Sequence, residues 1–579
     1  PTASPTPTPT PGPRRPAPPV VAPAAPTGSF LAPDGDAARR RWTVDPGLAP
    51  PFAFAWKATL PGRAGTVLAA DGRVYASHVQ PPGVAAFDAA TGRKLWTAGA
   101  AQTGSYEIAL AGGRVVVSDG AGVRGLDAGT GAVAWTFATE LAGDLAAADG
   151  DVIFSHRAAG GSGSSGSSQV TLLDAASGRR RWSHATDDTD RFSPPAVAGD
   201  RVYQGTVCRA RALDRRDGTQ LWSREFENGC AGVSTYTGPR LAGGRLLIPG
   251  MALDPADGHE LAVLPMAPRS VVGDVVVGDF GDGVAAGFDP DGRRLWSVEP
   301  IRTGYASGIG LNGTFLLADD VGLSAIDVAT GKAGWRGKRL GIDSNTTIYE
   351  PGLPVAGAGV VVIPHERELF TIAPAARAPA APLKARARQD VISYGHRVVV
   401  TGRLGSEFGG VTPLSVAADG WGRGGFRPRD AAPTESDGTF RFSARPARFT
   451  RYRFDAVGAA APKVVRVWVL PRFAERITRG RSDPNAITSR VRVRVPREVR
   501  ARGRLLALYV WRAKARRNVR VATGRLHGRR GRFAATLRFR ALRTGRRDYL
   551  LYCVAGLDRQ GMGGGIRLDR RCGRPRVKG

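Results

Sequence analysis

Four cysteines, seven histidines and a few acidic clusters are what the sequence offers for metal, redox or nucleophilic chemistry. Cys208 and Cys230 lie 22 positions apart and Cys553 and Cys572 lie 19 apart, and no CxxC, CxxCH or Cys/His zinc spacing joins them. Two such local pairs suit two disulfides in an oxidising compartment, each worth about 3 kcal/mol in the loop-entropy model; four reduced, buried cysteines are the alternative. No histidine sits in HExxH and no GxSxG elbow occurs. The glycine-rich run from Gly160 to Ser168 lacks the GK[ST] ending of a phosphate loop and reads as a flexible loop. Asp187-Asp188-Thr189-Asp190 and Asp319-Asp320 lack the spacing of a calcium loop and read as solvated turns. These residues assign no catalytic, cofactor-binding or metal site and disfavour an enzyme.

The elements that carry these residues follow from internal repetition. AFDAATGRKLW (Ala86 to Trp96) recurs as GLDAGTGAVAW to Trp135, LLDAASGRRRW to Trp182, ALDRRDGTQLW to Trp222 and AIDVATGKAGW to Trp335. ALDPADGHELA (Ala252 to Ala262) lacks the tryptophan, and GFDPDGRRLW, ending at Trp296, is one residue short. Each copy reads as a strand, a turn opened by an aspartate that accepts backbone N–H bonds, a left-handed glycine, and a return strand. The turn pairs are Asp88 and Gly92, Asp127 and Gly131, Asp174 and Gly178, Asp214 and Gly218, and Asp327 and Gly331. A second signature such as AGGRVVV (Ala111 to Val117) lies upstream, giving four short strands per ~40 residues, the unit of a β-propeller blade.

Eight strand positions but seven turns leave one blade without its outer strand. Phe52 to Trp56 supplies it, because Trp56 precedes Trp96 by 40 residues. The expectation is an all-β, eight-bladed propeller over residues 50–375, closed by an N-terminal strand, with Trp56, Trp96, Trp135, Trp182, Trp222, Trp296 and Trp335 wedged between blades. Tyr106, Phe192, Tyr236, Tyr305 and Tyr349 stand six to eight residues upstream of the inner hairpin turns in five repeats. They are a candidate binding rim for a protein or glycan at one mouth, with packing of the channel wall as the plainer alternative.

The repeats resemble the AxDxxTGxxxW tryptophan-docking motif of the PQQ-like propeller family, on Ala86, Asp88, Thr91, Gly92 and Trp96. That family includes PQQ-dependent dehydrogenases and non-enzymatic, BamB-like scaffold lipoproteins of the outer-membrane β-barrel assembly machinery. In both the resemblance implies a structural motif. The dehydrogenase branch implies a quinone, a Ca²⁺ with carboxylate ligands and often adjacent cysteines, which this sequence lacks; the scaffold branch is closer, with no cofactor.

Composition places the rest. At 579 residues, 42% hydrophobic and 23% charged, the chain is neither wholly disordered nor collagen-like, and no apolar run approaches the 18 residues of a membrane helix. Residues 1–49 read as a Pro/Thr/Ala-rich linker and disordered tail, of the kind that follows a removed signal or anchor, so the chain is expected to be extracytoplasmic, secreted or attached to the cell envelope, and monomeric. Residues 376–472 alternate as strands and resemble the small Ig-like modules of bacterial surface proteins; residues 473–579 read as a second, Arg-rich sandwich stapled by Cys553 and Cys572. The net charge of +32 divides as −3 over residues 1–375, +10 over 376–472 and +25 over 473–579. Period two puts Arg490, Arg492 and Arg494 on one face, and Arg529, Arg530, Arg532, Arg538 and Arg540 add to the supply. This is a candidate polyanion face for an anionic envelope polymer, against a solvated face in an arginine-biased composition; nucleic acid is disfavoured by the missing RNA-binding signatures.

Overall fold

Each repeat turn is built by its aspartate. Asp88 Oδ1 accepts the amide and hydroxyl of Thr91 at 2.9 and 2.7 Å, and the Gly92 amide closes on the Asp88 carbonyl at 2.8 Å. Gly92 has φ of 70°, and a Cβ there would lie 2.6 Å from the Trp56 ring, so both the backbone and the neighbour require glycine. After the turn the strand pairing slips by one residue, from Phe87 opposite Lys94 to Ala86 opposite Trp96. The same slip recurs before Trp135, Trp182, Trp222, Trp296 and Trp335. This bulge turns each tryptophan out of its own sheet toward the next.

The computed structural model describes residues 28–573 except 100–106, 119–121, 140–144, 158–167, 187–193, 206–208, 226–237, 266, 280–284, 299–306, 320–321, 337–353, 406–411, 421–424, 436, 513, 516, 543–548, 556 and 558–571. The described residues are all-β, with no helix and so none long and apolar enough to cross a membrane. They form two compact units, Pro1–Ala378 and Pro379–Gly579.

The first unit is a β-propeller of antiparallel sheets, from Arg63–Ala70 through Lys94–Gly99 in the first to Val355–Gly357 through Glu368–Pro374 in the last, each four-stranded except that Trp42–Thr43 adds a fifth, parallel strand beside Ser307–Leu311. Phe52–Thr59 completes that last sheet, pairing antiparallel with Glu368–Pro374 so that Phe54 faces Ile372. The first strands of successive sheets touch in order, from Arg63–Ala70 to Glu107–Ala111 and onward to Val355–Gly357, which touches Arg63–Ala70 again. Buried Val, Leu, Ile and Ala fill the spaces between neighbouring sheets.

Residues 28–49, expected as linker, are folded. Phe30, Ala38, Arg41, Thr43 and Leu48 are all buried. The carbonyls of Leu31, Ala37, Ala38, Arg40 and Arg41 accept the amides of Leu110, Val197, Leu241, Val271 and Gly310 in turn. Phe30 bonds Ala69 in both directions, and the Gly28 carbonyl accepts the Ala358 amide. One stretch of chain thus satisfies the inner edge of seven sheets, backbone groups that would otherwise lack partners. The Gly28 amide donates to the Val44 carbonyl and closes the loop on itself.

In the second unit the sheet of Leu383–Ala387, Val398–Leu404 and Thr439–Ala444 packs against the sheet of Val391–Ser393, Lys463–Leu470, Thr450–Ala456, Pro413–Gly420 and Arg427–Pro433. Phe440 meets Phe454 at 5.4 Å and Phe442 meets Tyr452 at 5.3 Å between them. A further pair of sheets follows, Arg472–Arg479, Ala486–Arg494, Arg532–Arg540 and His527–Arg529 in one, and Arg517–Arg525, Leu505–Arg512, Tyr549–Val554 and Cys572–Gly573 in the other. One continuous apolar cluster runs from Ala381 to Leu557 through both pairs.

Candidate functional site

The tryptophans act between sheets. Trp56 Nε1 donates to the Ala89 carbonyl at 2.7 Å, Trp96 to Ala128 at 3.2 Å, Trp135 to Ala175 at 2.9 Å, Trp182 to Arg215 at 2.8 Å, Trp222 to Pro255 at 3.2 Å and Trp296 to Val328 at 2.5 Å. Every acceptor follows the turn aspartate of the next repeat, and each ring lies on that turn's glycine. Trp335 meets Phe52 edge to face at 5.3 Å. Where Ala262 replaces tryptophan, buried Leu264 takes its place against Val271 and Phe288 and approaches Gly292. These indoles and their turns are committed to packing. Ser177 and Arg181 bring the Asp174 carboxyl down to about 2, and Thr91 and Thr130 lower Asp88 and Asp127 in the same way.

The inner segment places Asp34 among three guanidiniums, with an ion pair to Arg39 and contacts of 3.5 Å to Arg41 and Arg240. Burial alone would raise the Asp34 pKa; Arg240, Arg39 and Arg41 overcome it and hold the carboxyl well below the usual range. This is a buried ion cluster, and a carboxylate saturated by arginine is a poor calcium ligand. Among the described residues the grouping suited to a cation, Asp254, Asp257 and His259, lies in the degenerate repeat turn, where Asp254 and Asp257 already accept the Ala256 and His259 amides. Those two carboxylates are thereby engaged by the backbone of their own turn.

The rim aromatics Tyr106, Phe192, Tyr236, Tyr305 and Tyr349 lie outside the described residues, as do Asp187, Asp188, Asp190, Cys208 and Cys230. Cys553 and Cys572 stand directly opposite each other in neighbouring strands.

The arginines come together on a sheet. In register, Arg494 pairs with Arg472 on one side and Arg532 on the other, and Arg532 pairs with Arg529, a row of four across four strands. Arg490 pairs with Arg476; Arg492, Arg538 and Arg540 share that face. All nine are exposed, while Val491, Val493, Phe533, Ala535 and Leu537 on the other face are buried. Rows two residues apart along a strand lie about 7 Å apart and neighbours across strands about 4.8 Å apart. Like charges directly opposite destabilise a sheet, yet among the described residues only Arg540 has an acidic partner, Asp483 at 3.8 Å. Arg472 and Arg476 were not anticipated, because no strand was expected over Arg472–Arg479. Their alternation in RFAERITR was the signal that could have found them.

With the geometry established, comparison with known proteins adds the following. The family model for the outer membrane protein assembly factor BamB matches residues 34–153 and 119–280. The repeats are PQQ-like and BamB-like. The serine/threonine-protein kinase AfsK of Streptomyces coelicolor is 32% identical over 177 residues, 29% of this chain and 20% of that protein. The quinoprotein ethanol dehydrogenase of Pseudomonas putida is 31% identical over 124 residues, 17% of this chain and 20% of that protein. The chain thus spans about a fifth of the length of these curated relatives. Among solved structures, BamB from Moraxella catarrhalis aligns with a TM-score of 0.41 at 17% identity, covering 56% of this chain and 99% of that one. Sqt1 from Saccharomyces cerevisiae aligns at 0.41 and 9%, covering 55% and 98%.

Proposed function

We propose that the chain is a non-enzymatic, extracytoplasmic scaffold. Residues 50–375 form an eight-bladed PQQ-like propeller, closed by Phe52–Thr59 and filled by residues 28–49, that binds a protein or glycan at one mouth. Residues 376–472 and 473–579 are Ig-like sandwiches, and the second holds the protein on an anionic polymer of the cell envelope. The observation that carries this reading is the exposed sheet face of nine arginines with one acidic partner among the described residues. A face whose own charges repel is stabilised by a polyanion that neutralises them. The opposed backbones of Cys553 and Cys572 favour a disulfide, and with it an oxidising compartment.

The alternative is a PQQ-dependent dehydrogenase, which the similarity to the ethanol dehydrogenase keeps in view. The scaffold is favoured because the inner strands are occupied by the chain itself. The two separate in one assay: with PQQ and Ca²⁺ added, a scaffold leaves a redox dye unreduced with alcohols and sugars. Cofactor-dependent dye reduction would reverse the assignment. For the basic face, Arg490→Gln/Arg492→Gln/Arg494→Gln should elute from heparin at lower salt than the parent chain. Deleting 473–579 is a poorer test, since it cuts the shared apolar cluster.

A further inference from the structure

The outer face of the sandwich in residues 379–472 carries a different kind of surface. On Lys463–Leu470 the valines 465, 467 and 469 point into the core, which puts Arg466 and Trp468 on the outside. On Thr450–Ala456 the core takes Tyr452 and Phe454, leaving Arg451 and Arg453 outward. Thr450 pairs with Val467 and Arg451 with Arg466, so Phe449 falls beside Trp468; their rings lie 4.2 Å apart at 38°. Phe426, just before the edge strand, lies under both Arg451 and Arg453, whose guanidiniums are 5.2 and 5.1 Å from its ring. Buried Asp419 holds Arg451 in an ion pair and fixes its plane. Phe426, Phe449 and Trp468 are all half-buried residues.

We propose that this face is a binding platform for an acidic polysaccharide, a chain of sugar rings bearing carboxylates. Half-buried aromatic side chains and fixed guanidinium planes offer surfaces on which rings stack. The charge is sparse: Asp419 balances Arg451, leaving Arg453 and Arg466 to pair with carboxylates. That matches a polymer of rings with occasional charges. The nine-arginine sheet of the same unit, which has no Phe, Tyr or Trp side chain in its rows, suits a polymer of denser charge. A nucleic acid would stack on the rings too, but its phosphate at every unit calls for more cations than this face supplies.

The platform is independent of the scaffold reading and is tested in the full chain carrying Arg490→Gln/Arg492→Gln/Arg494→Gln, so that the dense basic face contributes less. Binding to hyaluronan, which bears a carboxylate on every second ring, is measured by titration calorimetry, with dextran and single-stranded DNA as competitors. Hyaluronan should bind, Arg453→Gln/Arg466→Gln should weaken it about tenfold, and Trp468→Ala should weaken it further, with circular dichroism unchanged. The arginine pair is exposed, so its substitution keeps the test informative if Trp468→Ala misfolds. Absence of binding, binding unchanged in the arginine pair variant, or preferential binding of DNA would each overturn the proposal. Heparin retention of the parent chain is read separately, so the loss of either face is distinguishable from the other.

Discussion

Asp34→Asn is the sharpest perturbation of the first unit. The substitution keeps the shape of the side chain and removes the negative charge that faces Arg39, Arg41 and Arg240, all buried. Breaking a buried ion pair from one side leaves uncompensated charge and costs about 3–5 kcal/mol. Three guanidiniums around one carboxylate put this site at the upper end. The matched control is Asp149→Asn, whose carboxylate meets Arg215 at 2.8 Å but is 86% exposed, and which should change stability by less than about 1 kcal/mol. Urea unfolding followed by tryptophan fluorescence reads the difference, since eight of the eleven tryptophans lie in residues 28–378. The pH dependence has a definite sign. Because the folded carboxyl titrates below the ordinary aspartate value of about 3.9, its stabilisation is complete above that value and drains away as pH falls beneath it. Asp34→Asn should therefore flatten the acid limb of the stability profile below about pH 4. A variant within about 1 kcal/mol of the parent at pH 7, with an unchanged acid limb, would refute residues 28–49 as an integral part of the propeller.

Other outcomes follow from the same contacts. Trp56→Ala removes a buried indole, its bond to Ala89 and its cover of Gly92, and should cost about 3–5 kcal/mol in urea unfolding. Gly92→Ala places a Cβ 2.6 Å from the Trp56 ring at positive φ and should destabilise by about 1–3 kcal/mol. Non-reducing peptide mass spectrometry should find Cys553 linked to Cys572, and Cys572→Ser should lower stability by about 3 kcal/mol.

The repeat turns were legible because their chemistry is carried by side chains at fixed spacing: an aspartate to accept amides, a glycine under a ring, a tryptophan aimed by a bulge. The pairing of Phe52–Thr59 was legible from the missing outer strand of the last repeat and the spacing of Trp56 from Trp96. The inner segment was not, because its bonds to seven sheets run through backbone carbonyls that any sequence supplies. Its visible signals were the end of the proline run at Gly28 and the packing of Asp34, Asp36 and three successive arginines into eight residues. In the second unit, alternation revealed Arg490, Arg492 and Arg494 as one face. Their neighbours Arg472 and Arg476 needed the strand register, which sequence alone leaves open. The aromatic platform joins Phe426, Phe449 and Trp468 from separate segments, and nothing in their spacing links them.

The central claim is that the arginine sheet holds this protein on a polyanion, and its most direct test is the affinity of the full chain for heparin across a salt series. At about 1 kcal/mol for each arginine near an anionic surface, Arg490→Gln/Arg492→Gln/Arg494→Gln should weaken binding about 100-fold at low salt and make it less sensitive to salt. Affinity and salt dependence equal to those of the parent chain would contradict the claim.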